Sequence, residues 1–259
     1  MLKLLTITMC SLHDDSNKKG IMKQSLQQFW NSFRHLPSAW LLCLQFLILI
    51  LSMLSYEHAS YRAATWVIGV LVLLVIARVI RQTPMFTFLG LFFVAGAIVF
   101  SSLMVLGIRS TWIHVTAHAF EAAAYFSAAY GLVRYMFHDR YLTKDELFAA
   151  GAVFTLLAWG FAFLYSICQL LVPYSFSTPD LHALQPWLDL LFLSFSVQSA
   201  TGLSDLMPVS PFARLLSIVQ MFAGVMYLAL IVSRLIALQY IVRLPQSDHV
   251  KHKENDPEK

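Results

Sequence analysis

Charged residues are scarce in this chain. Asp, Glu, Lys and Arg make up 12% of the 259 residues, whereas hydrophobic residues make up 58%. Ordinary soluble domains carry about 25% charged residues. The charges also gather near the two ends, because residues 1–36 and 241–259 hold 15 of the 32. This scarcity excludes a soluble enzyme, a disordered chain and a disulfide-built secreted domain, and it indicates a polytopic membrane protein.

Patterns typical of other functions are also missing. The sequence has no nucleotide-binding loop, no nucleophile paired with a base, and no basic stripe with interleaved aromatic residues for nucleic acid. We therefore predict no enzymatic activity, no cofactor and no nucleic-acid partner. The three cysteines lack metal-ligand spacing, and we interpret Cys43 and Cys168, which lie inside apolar runs, as buried and inert thiols.

The ends of the chain are predicted to be cytoplasmic tails. No cleavage site with small residues follows the short apolar stretch at the start, so residues 1–36 are interpreted as a cytoplasmic tail with an interfacial helix near residues 24–34. Residues 241–259 are polar and mixed in charge, which is typical of a disordered tail. Basic residues favour alternate connections, and this pattern predicts that both tails face the cytoplasm.

Six apolar stretches lie between these tails, each near the roughly 20 residues that cross a bilayer as a helix. The predicted fold is therefore an all-α membrane protein with six transmembrane helices, divided into a four-span module at 37–140 and a two-span module at 141–240. The predicted spans are Ser38–Tyr56, Ala63–Ile80, Met85–Leu106, Trp112–Met136, Leu147–Pro173 and Phe212–Leu238.

The connection between the last two spans is unusual. Its apolar segment, Trp187–Val197, is too short to cross a bilayer and is predicted to be a re-entrant helix. A small polar turn, Ser199–Asp205, follows, and Ser210-Pro211 is predicted to cap the final span. Non-helical backbone at membrane depth is tolerated only where protein buries it or where it lines a water-filled path. This layout therefore points to permeation.

The run from Phe192 to Leu216 (FLSFSVQSATGLSDLMPVSPFARLL) resembles the pore loop of bacterial potassium channels, which ends in a filter of the form TVGYGD. The final span, with Gly224 near its middle, is similar to the glycine-hinged inner helix of that family. The resemblance implies a homotetrameric channel in a bacterial inner membrane, with the lipid bilayer and potassium or another monovalent cation as partners. It implies ion-conduction filter positions at Ala200, Thr201, Gly202, Leu203 and Ser204, filter support at Gln198, Ser199 and Asp205, and a gating hinge at Gly224.

Three departures from that filter matter for selectivity. Ala200 lacks the hydroxyl of the family's threonine, Leu203 cannot form the aromatic cuff of its tyrosine, and Ser204 replaces a glycine. With the family's backbone, Ser204 would have a positive φ and would be strained. We therefore expect weaker discrimination of potassium from sodium. Two amides keep open roles: Gln198 either hydrogen-bonds behind the filter or faces a cavity, and Gln220 either supports the filter or packs between helices.

The fourth predicted span carries His114, His118 and Glu121 at offsets that place all three on one helical face. A proton sensor or a metal site is one hypothesis for them; contact with interfacial water or another helix is the alternative. Only Arg134 offers the positive charge that a voltage sensor needs in this span. A proton-coupled transporter that uses these three residues and a nonconducting scaffold are the alternatives to a channel.

Overall fold

The computed structural model describes residues 37–55, 74, 87–106, 110–138, 144–177 and 184–243. The predicted tail at 1–36, the second span (Ala63–Ile80, apart from Leu74) and residues 244–259 lie outside the described residues. The described chain is mostly helical, with one short antiparallel strand pair. Its elements are α1 (Pro37–Ser55), α2 (Thr87–Val105), α3 (Thr111–His138), α4 (Lys144–Leu171), β1 (Phe176–Ser177), α5 (Trp187–Gln198), β2 (Met207–Pro208) and α6 (Pro211–Arg243).

The helices follow the apolar stretches closely. Each predicted span on described residues is helical and begins within three residues of its predicted start, and α6 runs on to Arg243. Among the described helices, two are long and apolar enough to cross a membrane, over Asp145–Leu171 and Pro211–Ala237. The apolar parts of α1 and α2 are shorter, at Ser38–Ile50 and Phe88–Met104. The helical class is therefore confirmed, whereas six spans remain a prediction.

Helix α4 lies at the centre of the described fold and packs against α1, α3, α5 and α6. Ala152, Leu156 and Trp159 are buried along it, within a core that all four neighbouring helices share. The buried alanines of this helix, such as Ala152, let helix backbones approach closely, as is usual between membrane helices. A buried hydrogen bond from Thr155 Oγ1 to Gln45 Oε1, 2.5 Å long, joins α4 to α1. Helix α2 packs against α3.

Helix α6 is capped at its start and is joined to other helices in its second half. At its start, Ser210 Oγ accepts a hydrogen bond from Ala213 N at 3.1 Å, and Ser210 O accepts one from Arg214 N at 3.0 Å. The predicted Ser-Pro cap is therefore confirmed. Near its end, Arg234 Nη2 lies 3.5 Å from Glu146 Oε2 in the first turn of α4, and its guanidinium lies 4.8 Å from the Phe137 ring centroid.

The cysteine prediction holds in part. Cys168 is buried in α4, as expected, but Cys43 lies on the exposed face of α1. The prediction was wrong for Cys43 because an apolar run marks a helix in lipid without saying which of its faces packs against protein. An apolar residue on the other face of such a helix, as Cys43 is here, can be exposed in the single chain.

Candidate ion-conduction site

The short helix α5 starts from an anchored connection. The Gln169 side chain near the end of α4 holds the backbone of Gln185, with Oε1 accepting from Gln185 N at 2.9 Å and Nε2 donating to Gln185 O at 3.2 Å. Pro186 O then accepts hydrogen bonds from Asp189 N and Leu190 N, both at 3.2 Å. Helix α4 therefore fixes where α5 begins, through the Gln169 side chain.

Two polar side chains on α5 attach it to the backbone of α4. Ser194 Oγ donates to Ala158 O at 2.6 Å, and Gln198 Nε2 donates to Phe154 O at 2.7 Å. Gln198 is 1% exposed, so its side chain lies behind α5 between helices and does not face open space. The amide is therefore an interhelical hydrogen-bonding group in the described chain, and its role behind a filter stays a prediction.

Gln220 on α6 joins α6 to both α5 and α4. Its Nε2 donates to Ser194 O at 2.9 Å, to Ser194 Oγ at 2.6 Å and to Gln198 Oε1 at 3.3 Å, and its Oε1 accepts from Tyr165 OH at 2.7 Å. Tyr165 OH also lies 3.1 Å from Ser217 Oγ. A buried polar network of this kind specifies one packing arrangement, since an unpaired amide in the interior is costly. Gln220 thus supports α5 from α6.

Gly224 lies where α6 passes closest to the end of α5. A Cβ atom added at this position would overlap the carbonyl oxygen of Gln198 and would lie 3.0 Å from Gln198 Cγ. The obstacle is backbone, which cannot move away as a flexible side chain can. A requirement for close packing therefore explains this glycine without any bending, and the predicted hinge role stays a prediction.

The polar turn after α5 is organised by Ser196, a residue that the sequence analysis did not single out. Ser196 O accepts hydrogen bonds from Thr201 N at 3.1 Å and Gly202 N at 3.4 Å, and Ser196 Oγ accepts from Ser204 N at 3.1 Å. Ser199 Oγ donates to Phe195 O at 2.7 Å and lies 3.0 Å from Thr201 Oγ1. The turn is thus attached to the last turn of α5 through both backbone and hydroxyl groups.

The residues of this turn are mostly exposed, and its backbone is partly left-handed. Residues 200–203 and Asp205 are exposed, Ser204 is half-buried, and the chain becomes buried again at Leu206. Ala200 has φ 58° and Gly202 has φ 66°. Ser204 is not among the described residues with positive φ, so the condition under which strain was expected there is not met. In this turn the left-handed non-glycine residue is Ala200, directly after α5.

Leu203 is 69% exposed. Its side chain therefore packs little against the chain's own helices, and the expected loss of an aromatic cuff stays a prediction. Beyond the turn, β1 and β2 pair antiparallel, with Phe176 opposite Pro208 and Ser177 opposite Met207. This pair was not predicted, because strands of two residues leave no periodic pattern.

The roles of Ser194, Ser196 and Tyr165 were also missed. The sequence shows that these polar residues lie in apolar helices, but it does not show which groups they bond to.

The three titratable residues singled out on α3 do not form one hydrogen-bonded cluster. His118 Nδ1 lies 2.9 Å from Glu121 Oε2, and Glu121 Oε1 accepts a hydrogen bond from Ser101 Oγ of α2 at 2.7 Å. His114 Nδ1 instead lies 2.9 Å from Ser110 O. Within the described ranges, no group of three or more His, Cys, Asp or Glu side chains is arranged to hold a metal ion. The structure therefore presents a hydrogen-bonded pair that links α3 to α2.

The comparison with protein families agrees with this geometry. Residues 150–239 match a family model described as "Ion channel". This part of the chain is similar to an ion-channel domain. It covers most of α4, all of α5 with the polar turn, and α6 up to its last turn, while α1, α2 and α3 lie outside it. No curated protein and no solved structure matches the chain. The match and the two membrane-long helices support a membrane protein that conducts ions.

Proposed function

We propose that this chain is one subunit of a homotetrameric cation channel that conducts potassium or another monovalent cation passively. The observation that carries the proposal is the exposed turn at residues 200–203, held by Ser196 between a largely buried short helix and a membrane-long helix. Cation filters replace an ion's hydration shell with rings of backbone carbonyls. One chain supplies one such turn, so a ring needs several copies around a closed symmetry axis.

The proposed filter comprises Ala200, Thr201, Gly202, Leu203 and Ser204. Gln198, Ser199 and Asp205 would support it: Gln198 from behind α5, Ser199 through its hydroxyl contact with Thr201, and Asp205 from the exposed end of the turn. The negative end of the α5 dipole lies at Gln198 and Ser199 and would favour a cation beside it. The backbone carbonyls and the negative end of the helix would together replace the water molecules that surround a cation in solution.

The proposal includes a topology for the whole chain. Residues 37–140 would form a four-span module and residues 141–240 the pore module, in a bacterial inner membrane with both termini in the cytoplasm. Helix α5 would then enter from the outer side and return there through the polar turn. Gly224 would bend α6 during opening, in addition to its packing role against Gln198.

Weak selectivity is part of the proposal. Leu203 is exposed and offers no hydroxyl to a neighbouring helix, so its carbonyl would be held less rigidly than in the full family filter. We expect the double change Leu203→Tyr with Ser204→Gly to raise the preference for potassium. Reversal potentials under opposed potassium and sodium gradients measure it, and near-ideal potassium reversal in the unaltered protein would contradict the loosened filter.

The test of conduction is recording from the purified protein in planar bilayers. We expect unitary currents far above transporter turnover, together with a detergent-solubilised mass near four chains of 29.4 kDa. Gly202→Val should abolish the currents, because a β-branched side chain resists φ 66°. Slow flux coupled to protons would indicate the transporter instead, and silence in a stable, folded protein would indicate a scaffold. A monomer across mild detergents would also contradict the proposal.

A further inference from the structure

The pair formed by His118 and Glu121 is only partly shielded from its surroundings. The His118 side chain is 20% exposed and that of Glu121 is 15% exposed, with 2.9 Å between Nδ1 and Oε2. Ser101 Oγ holds the other carboxylate oxygen at 2.7 Å. The carboxylate is therefore fixed from two sides, while the pair keeps enough contact with its surroundings to exchange a proton.

The His118 ring also begins a row of aromatic contacts that ends on α5. It stacks on Phe163 of α4, with ring centroids 5.7 Å apart and planes 29° apart. Phe163 lies against Trp187 with centroids 4.3 Å apart. Trp187 is the first residue of α5. Two contacts thus separate a titratable ring on α3 from the start of the helix that carries the proposed filter.

A second row of rings reaches the same tryptophan. Tyr125 stacks on Trp159 with centroids 5.8 Å and planes 6° apart, and Trp159 lies 6.0 Å from Trp187 in an edge arrangement. Tyr125 also lies 5.4 Å from Phe163. Trp187 therefore contacts two rings on one face of α4, and α3 supports both rings. A shift of the His118 ring would change the packing at one of these two supports.

Among the residues that the structure describes, few other titratable groups lie on the helices packed around this pair. Helix α2 has none between Thr87 and Val105. On α3, His114 lies one turn before His118, with its Nδ1 at Ser110 O. On α5, Asp189 lies two residues after Trp187. The other titratable side chains of α4 and those nearest on α3 are Lys144, Asp145 and Glu146 in the first turn of α4, Tyr165 and Cys168 near its end, and Tyr125 and Tyr130 on α3.

We propose that His118 and Glu121 form a proton-binding site that adjusts the pore through Phe163 and Trp187. The proposal rests on the proposed function, because conduction is what the site would regulate. Histidine is the side chain that ordinarily changes charge between about pH 5 and pH 8. A proton on His118 turns its hydrogen bond to the Glu121 carboxylate into an ion pair, in which donor and acceptor are both charged and the attraction is stronger. The ring is then held more firmly against Phe163, and through it Trp187 and the start of α5.

The first experiment is single-channel recording while pH is changed on the side of the membrane where α5 begins. We expect open probability to change at least about fivefold between pH 8 and pH 5, the lower end of ordinary coupling between sites. His118→Gln should remove this dependence, because the amide does not titrate. His114→Gln is the matched control and should keep it. Phe163→Leu should also remove it, since it breaks the row of rings while leaving the pair intact.

A second measurement needs no current. Tryptophan fluorescence of the solubilised protein should titrate over the same pH range, and the change should be lost in His118→Gln and reduced in Trp187→Phe. A conducting protein with constant open probability across this range would overturn the proposal, as would a dependence that survives His118→Gln. Absence of unitary currents in every condition would overturn the proposed function instead, and a fluorescence change that is the same in His118→Gln would then overturn the proton site by itself.

Discussion

Helices α4 and α6 are alike in length and apolar character, but the chain buries them very differently. Both membrane-long segments have 27 residues, and within each of them the chain buries 61% of an 18-residue stretch in α4 but only 22% of such a stretch in α6. α4 therefore acts as the structural centre, with neighbours on most sides. α6 contacts its own chain along one narrow face, through Ser217, Gln220, Gly224 and Tyr227. Length and hydropathy alone therefore do not distinguish a helix that its own chain buries from one whose surface its own chain leaves largely exposed.

The narrow face of α6 has a clear helical spacing. Its contact residues recur every three or four positions, which places them on one side of the helix. Tyr227 OH donates to Ala150 O at 2.5 Å, so this side reaches α4 as well as α5. The remaining surface of α6 is apolar and exposed in the single chain, and lipid or further subunits would cover it in the proposed tetramer. Its large exposed side chains include Leu215, Ile218, Phe222, Val225, Leu228 and Val232.

The largest expected effect tests the core side of this comparison. Leu156 on α4 is fully buried, and Leu156→Ala should lower the free energy of unfolding by about 3 kcal/mol, because it removes buried contacts and leaves a cavity. Leu228→Ala on α6 is the matched control, since Leu228 is 40% exposed. It should cost less than about 1 kcal/mol in the single chain. Denaturant titration of the detergent-solubilised protein measures both changes.

The control also tests the role of the exposed face. If other copies cover Leu228, its truncation should reduce the tetramer fraction at low protein concentration, while Leu156→Ala should unfold the chain itself. Equal losses of unfolding free energy in the two variants would show that the single-chain burial does not describe how α6 is packed. The comparison between the two helices would then fail.

A smaller effect is expected where α6 does touch its own chain. Gly224→Ala should lower the free energy of unfolding by about 2 kcal/mol, because the added methyl group meets the Gln198 carbonyl. Gly151→Ala on α4 is the control: its Cβ would lie 3.4 Å from Leu42 Cδ2, an ordinary contact. Alanine's higher helix propensity should then stabilise by up to about 1 kcal/mol. Thermal unfolding in the same detergent distinguishes the two signs.

The hinge role of Gly224 needs a separate measurement. If α6 bends at this residue during opening, Gly224→Ala should alter open probability in the channels that still assemble. An unchanged open probability together with the loss of stability would leave Gly224 as a packing residue only. A gain of stability would contradict the close approach to α5.

The sequence predicted the helices well because each is marked by a long apolar run with clear ends. Helix α5 was expected over Trp187–Val197 from its short length and the polar turn that follows, one residue short of its observed end at Gln198, and the start of α6 was expected from Ser210-Pro211. The contacts between helices were not predictable in the same way. That Gln220 binds Ser194, or that Ser196 holds the turn, depends on which faces meet. A single sequence gives the period of a helix, but it does not give the rotation of the helix against its neighbours.

The smallest effect concerns Ala200, where the chain leaves the buried packing around α4 and becomes exposed. Its φ of 58° is left-handed, a conformation that costs a non-glycine residue roughly 1–2 kcal/mol. Ala200→Gly should therefore stabilise the fold, by about 0.5 kcal/mol after the greater freedom of glycine in the unfolded chain is subtracted. Ala229→Gly, at an exposed position within α6, is the control and should destabilise by about 1 kcal/mol, because glycine is a poor helix former. Opposite signs in parallel unfolding titrations are the expected result. A loss of stability in both variants would mean that the chain does not turn left-handed at Ala200, and the proposed filter would then begin with a different backbone.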